Sequence, residues 1–244
     1  MSTLIVTDNG YALDLAYEID RRYGGVAVRQ SPRGQLPNVE RLDVSSNVAC
    51  ISSSFDLVIS IHCKQLFPAA LVRTARCINV HPGYNPINRG WYPQVFSIMN
   101  GSKLGVTIHE IDEEIDHGPI IVQREVKLNS WDTSGSAYKA LMRVERELLL
   151  ENYVDILACS YVTRPPADDG NFNRKADFDA LLRLDLDHVG RFGDHLTLLR
   201  ALTHEGFKNA HFVDADGRRV FVNVQLNPEQ PSSTTTDESS LGAD

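Results

Sequence analysis

The chain has 244 residues, of which 42% are hydrophobic and 23% charged, and its formal net charge is -8. That length accommodates one sizeable domain with an appendage, or two small ones, and the composition is that of a globular protein with a buried core. The acidic balance, with no long basic cluster, excludes nucleic acid and anionic membrane as general partners, although a few local cations could still serve an anionic substrate.

The N-terminus enters a short β-like run, Leu4–Thr7, with no basic leader and no long apolar stretch before it, so neither a signal peptide nor a membrane span is expected. Cys50, Cys63, Cys77 and Cys159 form no CxxC pair. They read as thiols of a reducing compartment, and the expected location is the cytoplasm. Asp8-Asn9-Gly10 supplies turn and capping chemistry for an amphipathic helix over about residues 11–23. Val26–Arg29 is a candidate strand, residues 31–38 a loop, Phe55–Ile61 a strand, Pro68–Ala75 a short helix and Cys77–Val80 the next strand. Tyr92–Met99 reads as a helix with Pro93 in its first turn. Leu104–Ile108 and Ile120–Val126 are strands that bracket a loop, and Ser134–Leu157 is the longest helical pattern.

Strands that alternate with helices predict an α/β fold with a doubly wound, mostly parallel, Rossmann-like sheet over residues 1–164. Pro165-Pro166 and Asp168-Asp169-Gly170 break the pattern. Residues 165–227 are expected to form a small α+β region, with helices over Phe178–Leu186 and Gly190–Thr203. Its β-hairpin would turn at Asp214-Ala215-Asp216-Gly217. Residues 228–244 are polar and acidic and read as a disordered tail. The first strand leads to no GxGxxG or Walker glycine-lysine pattern, so the fold alone implies neither NAD nor ATP.

The chemistry lies in two segments. Asn79-Val80-His81-Pro82 and Asp116-His117-Gly118-Pro119 offer an amide, an imidazole and a carboxylate, placed as loops at strand ends. Amide and imidazole can stabilise an oxyanion, and imidazole with carboxylate can carry a proton, which is the set needed to move a one-carbon acyl unit onto an amine. Two residues apart on an extended segment, Asn79 and His81 point the same way. Taken alone, an Asn-x-His pair is more often a turn or capping pair than a catalytic one. His117 reads as a solvent-facing loop residue. His62 and His109 could line a pocket, but read more simply as satisfied structural histidines.

Asn79-Val80-His81-Pro82 with Pro86 and Arg89-Gly90, together with Asp116-x-Gly118-Pro119, resembles the signature of the formyltransferases that use 10-formyltetrahydrofolate. The string Asn85-Pro86-Ile87-Asn88-Arg89-Gly90-Trp91-Tyr92-Pro93 is more specific. It resembles the sugar N-formyltransferases acting on dTDP-4-amino-4,6-dideoxyhexoses. Gly83 stands where many family members carry serine. The resemblance implies a formyl transfer from 10-formyltetrahydrofolate, without a metal, to the 4-amino group of dTDP-4-amino-4,6-dideoxyglucose or a close dTDP-linked amino sugar. The product would be a formamido sugar for surface polysaccharide, and the enzyme a homodimer. Asn79 and protonated His81 would stabilise the formyl oxyanion, while Asp116 orients His81 and accepts the amine proton.

The resemblance also implies a pterin slot lined by Phe67, Pro68, Glu114, Ile115 and Gly118. Lys64 and then Arg89 are the candidate pyrophosphate cations, with Arg174 behind them. Arg89 could equally pair with a carboxylate to hold its loop. Tyr84 could meet the hexose, and Trp91 and Tyr92 could stack on sugar or base or simply anchor the loop. Two other readings remain: formylation of another amine, such as glycinamide ribonucleotide or methionyl-tRNA, and a non-catalytic nucleotide-sugar sensor on the same fold.

Overall fold

A computed structural model describes residues 1–229, so most of the expected disordered tail, 230–244, lies outside the described residues. Among the described residues ten strands and seven helices follow one another: β1 Thr3–Thr7, α1 Gly10–Tyr23, β2 Val26–Arg29, α2 Val48–Ser54, β3 Leu57–Ile61, α3 Ala69–Thr74, β4 Cys77–His81 and β5 Arg89–Gly90. They continue with α4 Pro93–Asn100, β6 Leu104–Glu110, β7 Ile120–Val126, α5 Ser134–Ala158, β8 Phe172–Asn173, α6 Lys175–Asp179, α7 Phe192–Leu202, β9 His211–Val213 and β10 Arg219–Phe221. The main sheet has the order β2-β1-β3-β4-β6-β7. The first four of these strands are parallel, and β6 runs antiparallel to both its neighbours. The mostly parallel sheet expected from the sequence is therefore present, with one reversed strand.

Alternation along the strands divides the core in two. Ile5, Leu57, Ile59, Ile61, Ile78 and Val80 pack on the α1 and α5 side, with Ile19, Leu141, Leu148 and Tyr153. Leu4, Val6, Val58 and Cys77 face the other way, onto Ile51 of α2 and Leu71 of α3. Strands covered on both faces are largely apolar, and β1 and β3 are buried at every position, Thr3, Thr7 and Ser60 included. The starts of α1 and α5 carry side-chain caps. Asn9 Oδ1 accepts from the N–H groups of Tyr11 and Ala12 at 2.8 and 3.3 Å, and Thr133 and Ser136 form a reciprocal capping box on α5.

Pro68–Ala75 and Cys77–Val80 appear as the expected helix α3 and strand β4. Three details differ from expectation. The Ser-rich helix α2 was not anticipated, because only Ile51 on it is fully buried. The helix expected over Phe178–Leu186 ends at Asp179 as α6. Beyond it the backbone is claimed by β9, since Leu184 N–H donates to the His211 carbonyl at 2.7 Å and His211 N–H donates to Leu182 at 2.9 Å. The hairpin forms at the expected Asp214–Gly217 turn, but β9 and β10 are only three residues each. Thr133→Ala should lower stability by about 0.5–2 kcal/mol through loss of the α5 cap, leaving the site geometry unchanged; urea denaturation measures this.

Candidate active site

Asn79 and His81 lie within β4 and share a face of the sheet with Cys77, the face covered further along by α2 and α3. They belong to the strand itself, not to a loop beyond it. Antiparallel pairing sets Asn79 opposite His109 and His81 opposite Thr107. Strand β6 therefore ends beside the start of β4, and the following loop has to fold back over the sheet to bring Asp116 to Asn79 and His81. One close contact and one left-handed turn shape that fold-back. A Cβ at Gly118 would sit 1.9 Å from the Glu110 carbonyl oxygen, so only glycine fits there. Asp116 itself adopts a left-handed φ of 51°.

Asp116 is the hub. Its Oδ1 accepts from Asn79 Nδ2 at 2.8 Å, and its Oδ2 accepts from the Gly90 N–H at 3.1 Å. Its backbone carbonyl accepts from Asn85 Nδ2 at 2.7 Å. His81 Nδ1 lies 3.5 Å from Oδ1, and His109 Nε2 lies 3.7 Å away. Burial alone would raise the Asp116 carboxyl, but His81, His109 and the Gly90 N–H hold it well below the usual carboxylate range. Burial pushes the His81 imidazole below its ordinary value; the Asp116 charge offsets this only in part, and His109, His62 and Arg89 add to the lowering. His81 is therefore neutral at neutral pH. Its Nδ1 carries the proton toward Asp116, and Nε2 is a buried lone pair without a partner among the described residues. The ring lies against Gly83, where an added Cβ would be 2.2 Å from Nε2.

These facts change two expectations. His81 is not protonated at rest, and Asp116 is too weak a base to accept the amine proton. Asn79 also has both amide hydrogens engaged: one on Asp116, the other aimed at His109 Nε2, 3.3 Å away. His109 Nδ1 donates to the Glu110 carbonyl at 2.7 Å, and its Nε2 faces both Asn79 Nδ2 and Asp116 Oδ1. A β-bulge between Ile108 and His109 aims this residue.

Arg89 is gathered into the same site. It makes no ion pair; its guanidinium donates to the carbonyls of Ile115 at 3.3 Å and Asp169 at 3.0 Å, and its buried Nε has no partner among the described residues. The carboxylate pairing weighed from the sequence does not occur. Phe67 is half-buried in the α2–α3 core and Pro68 precedes α3, while Glu114 and Ile115 are exposed. Arg73 of α3 donates to Glu113, with Nε at 3.0 Å, which ties α3 to the loop before Asp116. Leu66 and Ile115 are exposed, and apolar surface of this kind suits a flat heteroaromatic group.

Other candidates stand apart. Tyr84 packs against Gly105 beneath Lys103, whose Nζ is 5.2 Å from the ring centre. Tyr92 stacks on Phe178 at 4.1 Å, and the half-exposed Trp91 lies on Tyr92. Arg174 is paired with Asp177 at the start of α6. The Lys64 side chain is exposed, with its backbone N–H on Asp8 at 2.8 Å. His117 pairs with Asp112 at 2.8 Å. Asn85 and the Gly90 N–H were missed as site groups. Asn85 was noticed only as part of a motif, and a backbone donor leaves no trace in a sequence.

On the opposite face, His62 at the end of β3 donates Nε2 to both carboxylate oxygens of buried Glu145 of α5, at 3.0 and 3.2 Å. Burial would lower the His62 imidazole, but Glu145 overrides this and the net shift is upward. Because the folded value is raised, this pair stabilises the fold fully below the ordinary histidine value of about 6.5, and the contribution is lost as pH rises through the folded value. Wild-type thermal stability should therefore decline on the alkaline side, and His62→Gln should flatten that decline. Glu145→Ala should cost about 3–5 kcal/mol at pH 6. Thermal unfolding across pH checks both.

The sheet thus carries one reversed strand beside β4 and gathers an amide, an imidazole and a carboxylate on one face, a set suited to acyl-group transfer. The chain belongs to the formyl transferase family. The Formyl transferase model matches residues 27–153 and the N-formyltransferase dimerization C-terminal domain matches residues 177–228. The chain is 58% identical over 232 residues to dTDP-4-amino-4,6-dideoxyglucose formyltransferase of Mycobacterium tuberculosis, covering 95% of this chain and 99% of that protein. It superposes on a sugar N-formyltransferase from a Shewanella species with TM-score 0.90 at 38% identity, covering 94% and 99% of the two chains. For a 4-N formyltransferase from Francisella tularensis the TM-score is 0.88 at 38% identity, covering 93% and 98%.

Proposed function

We propose that this enzyme transfers the formyl group of 10-formyltetrahydrofolate to the 4-amino group of dTDP-4-amino-4,6-dideoxyglucose, working as a cytoplasmic homodimer. The near full-length likeness to the Mycobacterium tuberculosis protein of that activity supports the choice of substrate. The observation that carries the chemistry is the convergence of Asn79, His81 and Asp116, with His81 Nε2 left as a buried, unpartnered acceptor. The match of residues 177–228 to a dimerization domain supports the oligomer.

The amine nitrogen attacks the formyl carbon, and a new C–N bond forms as the bond to the folate nitrogen breaks. His81 Nε2 takes the proton that the amine sheds. The imidazolium so formed is stabilised by Asp116, whose carboxylate faces Nδ1. Its Nε2–H then returns the proton to the departing nitrogen, so no net proton is gained or lost at the enzyme. Asn79 redirects its weaker contact, the one toward His109, to the formyl oxygen as negative charge builds there. Asp116 holds Asn79 and His81 in register and stays ionised throughout. The pterin ring lies between Leu66–Pro68 and Glu113–Ile115, and Lys64 and Arg89 are the cations for anionic groups of the two substrates.

Incubation with both substrates should yield a dTDP-sugar heavier by one formyl unit; no mass change would sink the reading. His81→Gln should lower kcat by about 100–10,000-fold while the folate product still binds. The active imidazole is neutral and its titration is depressed, so activity is lost as pH falls through the lowered value. The acid limb of kcat/KM should therefore lie below about 6.5, as a pH–rate profile will measure.

A further inference from the structure

The string Asn85–Tyr92 does more than mark a family. Asn88 within it is 0% exposed and adopts a left-handed φ of 53°. All of its side-chain capacity is used. Oδ1 accepts from the amides of Asn171 at 2.7 Å, Asn173 at 3.2 Å and Asn100 at 3.2 Å. Nδ2 donates to the hydroxyls of Ser102 at 2.8 Å and Ser97 at 3.1 Å. The amide orientation is fixed by these partners, because the three amide nitrogens can only donate. The Asn88 N–H closes a ring by donating to Asn171 Oδ1 at 2.8 Å.

This knot lies directly before β5 and ties it to β8. Arg89 and Trp91 N–H groups donate to the carbonyls of Asn171 and Asn173 at 3.0 and 2.9 Å. The approach is tight enough that a Cβ at Gly90 would lie 2.6 Å from the Asn173 carbonyl oxygen, and one at Gly170 would lie 1.9 Å from that of Pro86. Arg89 adds a tie from the Asp169 carbonyl to that of Ile115, the residue before Asp116. The N–H delivered by this clamped strand is that of Gly90, which donates to Asp116 Oδ2.

We propose that Asn88 is a positioning residue for formyl transfer: with Asn171 it clamps the 170–173 segment onto β5, and so fixes the Gly90 N–H that holds the Asp116 carboxylate against His81 and Asn79. The segment between the catalytic sheet and the C-terminal region is thereby part of the active-site scaffold. The inference rests on the formyl-transfer reading above. Asn88 acts through Gly90 and does not touch substrate.

Because buried Asn88 is central to folding, the test uses exposed Asn171, whose side chain makes two bonds to Asn88. Asn173→Ala, which removes a single longer bond, is the milder companion. In Asn171→Ala, kcat per 5-formyltetrahydrofolate-binding site should fall about 10–100-fold, with KM for both substrates within about threefold of wild type. The titratable and charged groups that face Asp116, namely His81 from β4 and His109 from β6, with Arg89 behind the Ile115 carbonyl, stay in place. Loss of the N–H donor leaves the Asp116 charge less compensated, which favours the imidazolium of His81, and the acid limb of kcat should move to higher pH. Asn173→Ala should show the same pattern more weakly. The inference is overturned if kcat per binding site stays within about twofold of wild type, if activity falls only in proportion to folded protein, or if kcat falls with an unmoved acid limb. A wild-type protein without formyl transfer would instead sink the functional reading, which the same assay reads separately.

Discussion

The site depends on keeping one carboxylate ionised where water is largely excluded. A buried Asp116 would otherwise become neutral, since an isolated charge in such surroundings is costly. It stays charged because three separate stretches of chain converge on it: Asn79 from β4, the Gly90 N–H from β5 and the imidazoles of His81 and His109. The same burial keeps His81 neutral. One environment thus drives the two groups apart, the carboxyl toward its charged form and the imidazole toward its basic form. That separation gives a proton acceptor at Nε2 beside a permanent negative charge.

The sheet makes this convergence cheap in chain length. Reversal of β6 puts His109 opposite Asn79 and lets the following loop return across the same face. The other face of the sheet carries its own buried pair, His62 with Glu145, which joins the end of β3 to the long helix α5. The catalytic face is left to the loops, and the helical face supplies the rigidity.

Much of this was legible in the sequence. The Asn-x-His spacing fixed a shared face on any extended segment, and the apolar runs of β1, β3 and β4 announced a covered sheet. What could not be read was register. Nothing in a linear string says that His109 pairs with Asn79, that Asn85 reaches the Asp116 carbonyl, or that a glycine N–H completes the carboxylate's shell. The protonation of His81 was misjudged for a related reason, because desolvation is a property of packing. Tyr84 was proposed for its hydroxyl and Arg174 from the family resemblance, and their partners, Lys103 and Asp177, appear only once the chain is folded. The fate of 180–186 turned on competition: β9 offers that backbone hydrogen bonds that a continued helix would have had to supply itself.

Backbone strain follows the same map. Among the described residues, the non-glycine positions with left-handed φ are Asn38, His62, Asn88, Tyr92, Asp116 and Cys159. Cys159 ends a helix, where that conformation is routine. Asn88, Tyr92 and Asp116 lie on the two loops that meet at the site, and His62 anchors the strand beside it. A residue such as Tyr92 or His62 adopts this conformation only where its surroundings over-determine it. Tyr92 is held by Phe178, His62 by Glu145, Asn88 by three other asparagines, and Asp116 by Asn79 and Gly90. Each strained turn is tied by a side chain from a distant part of the chain. The catalytic geometry is therefore a property of the complete tertiary structure, including the segment after residue 164, and not of the two motifs that first reveal it.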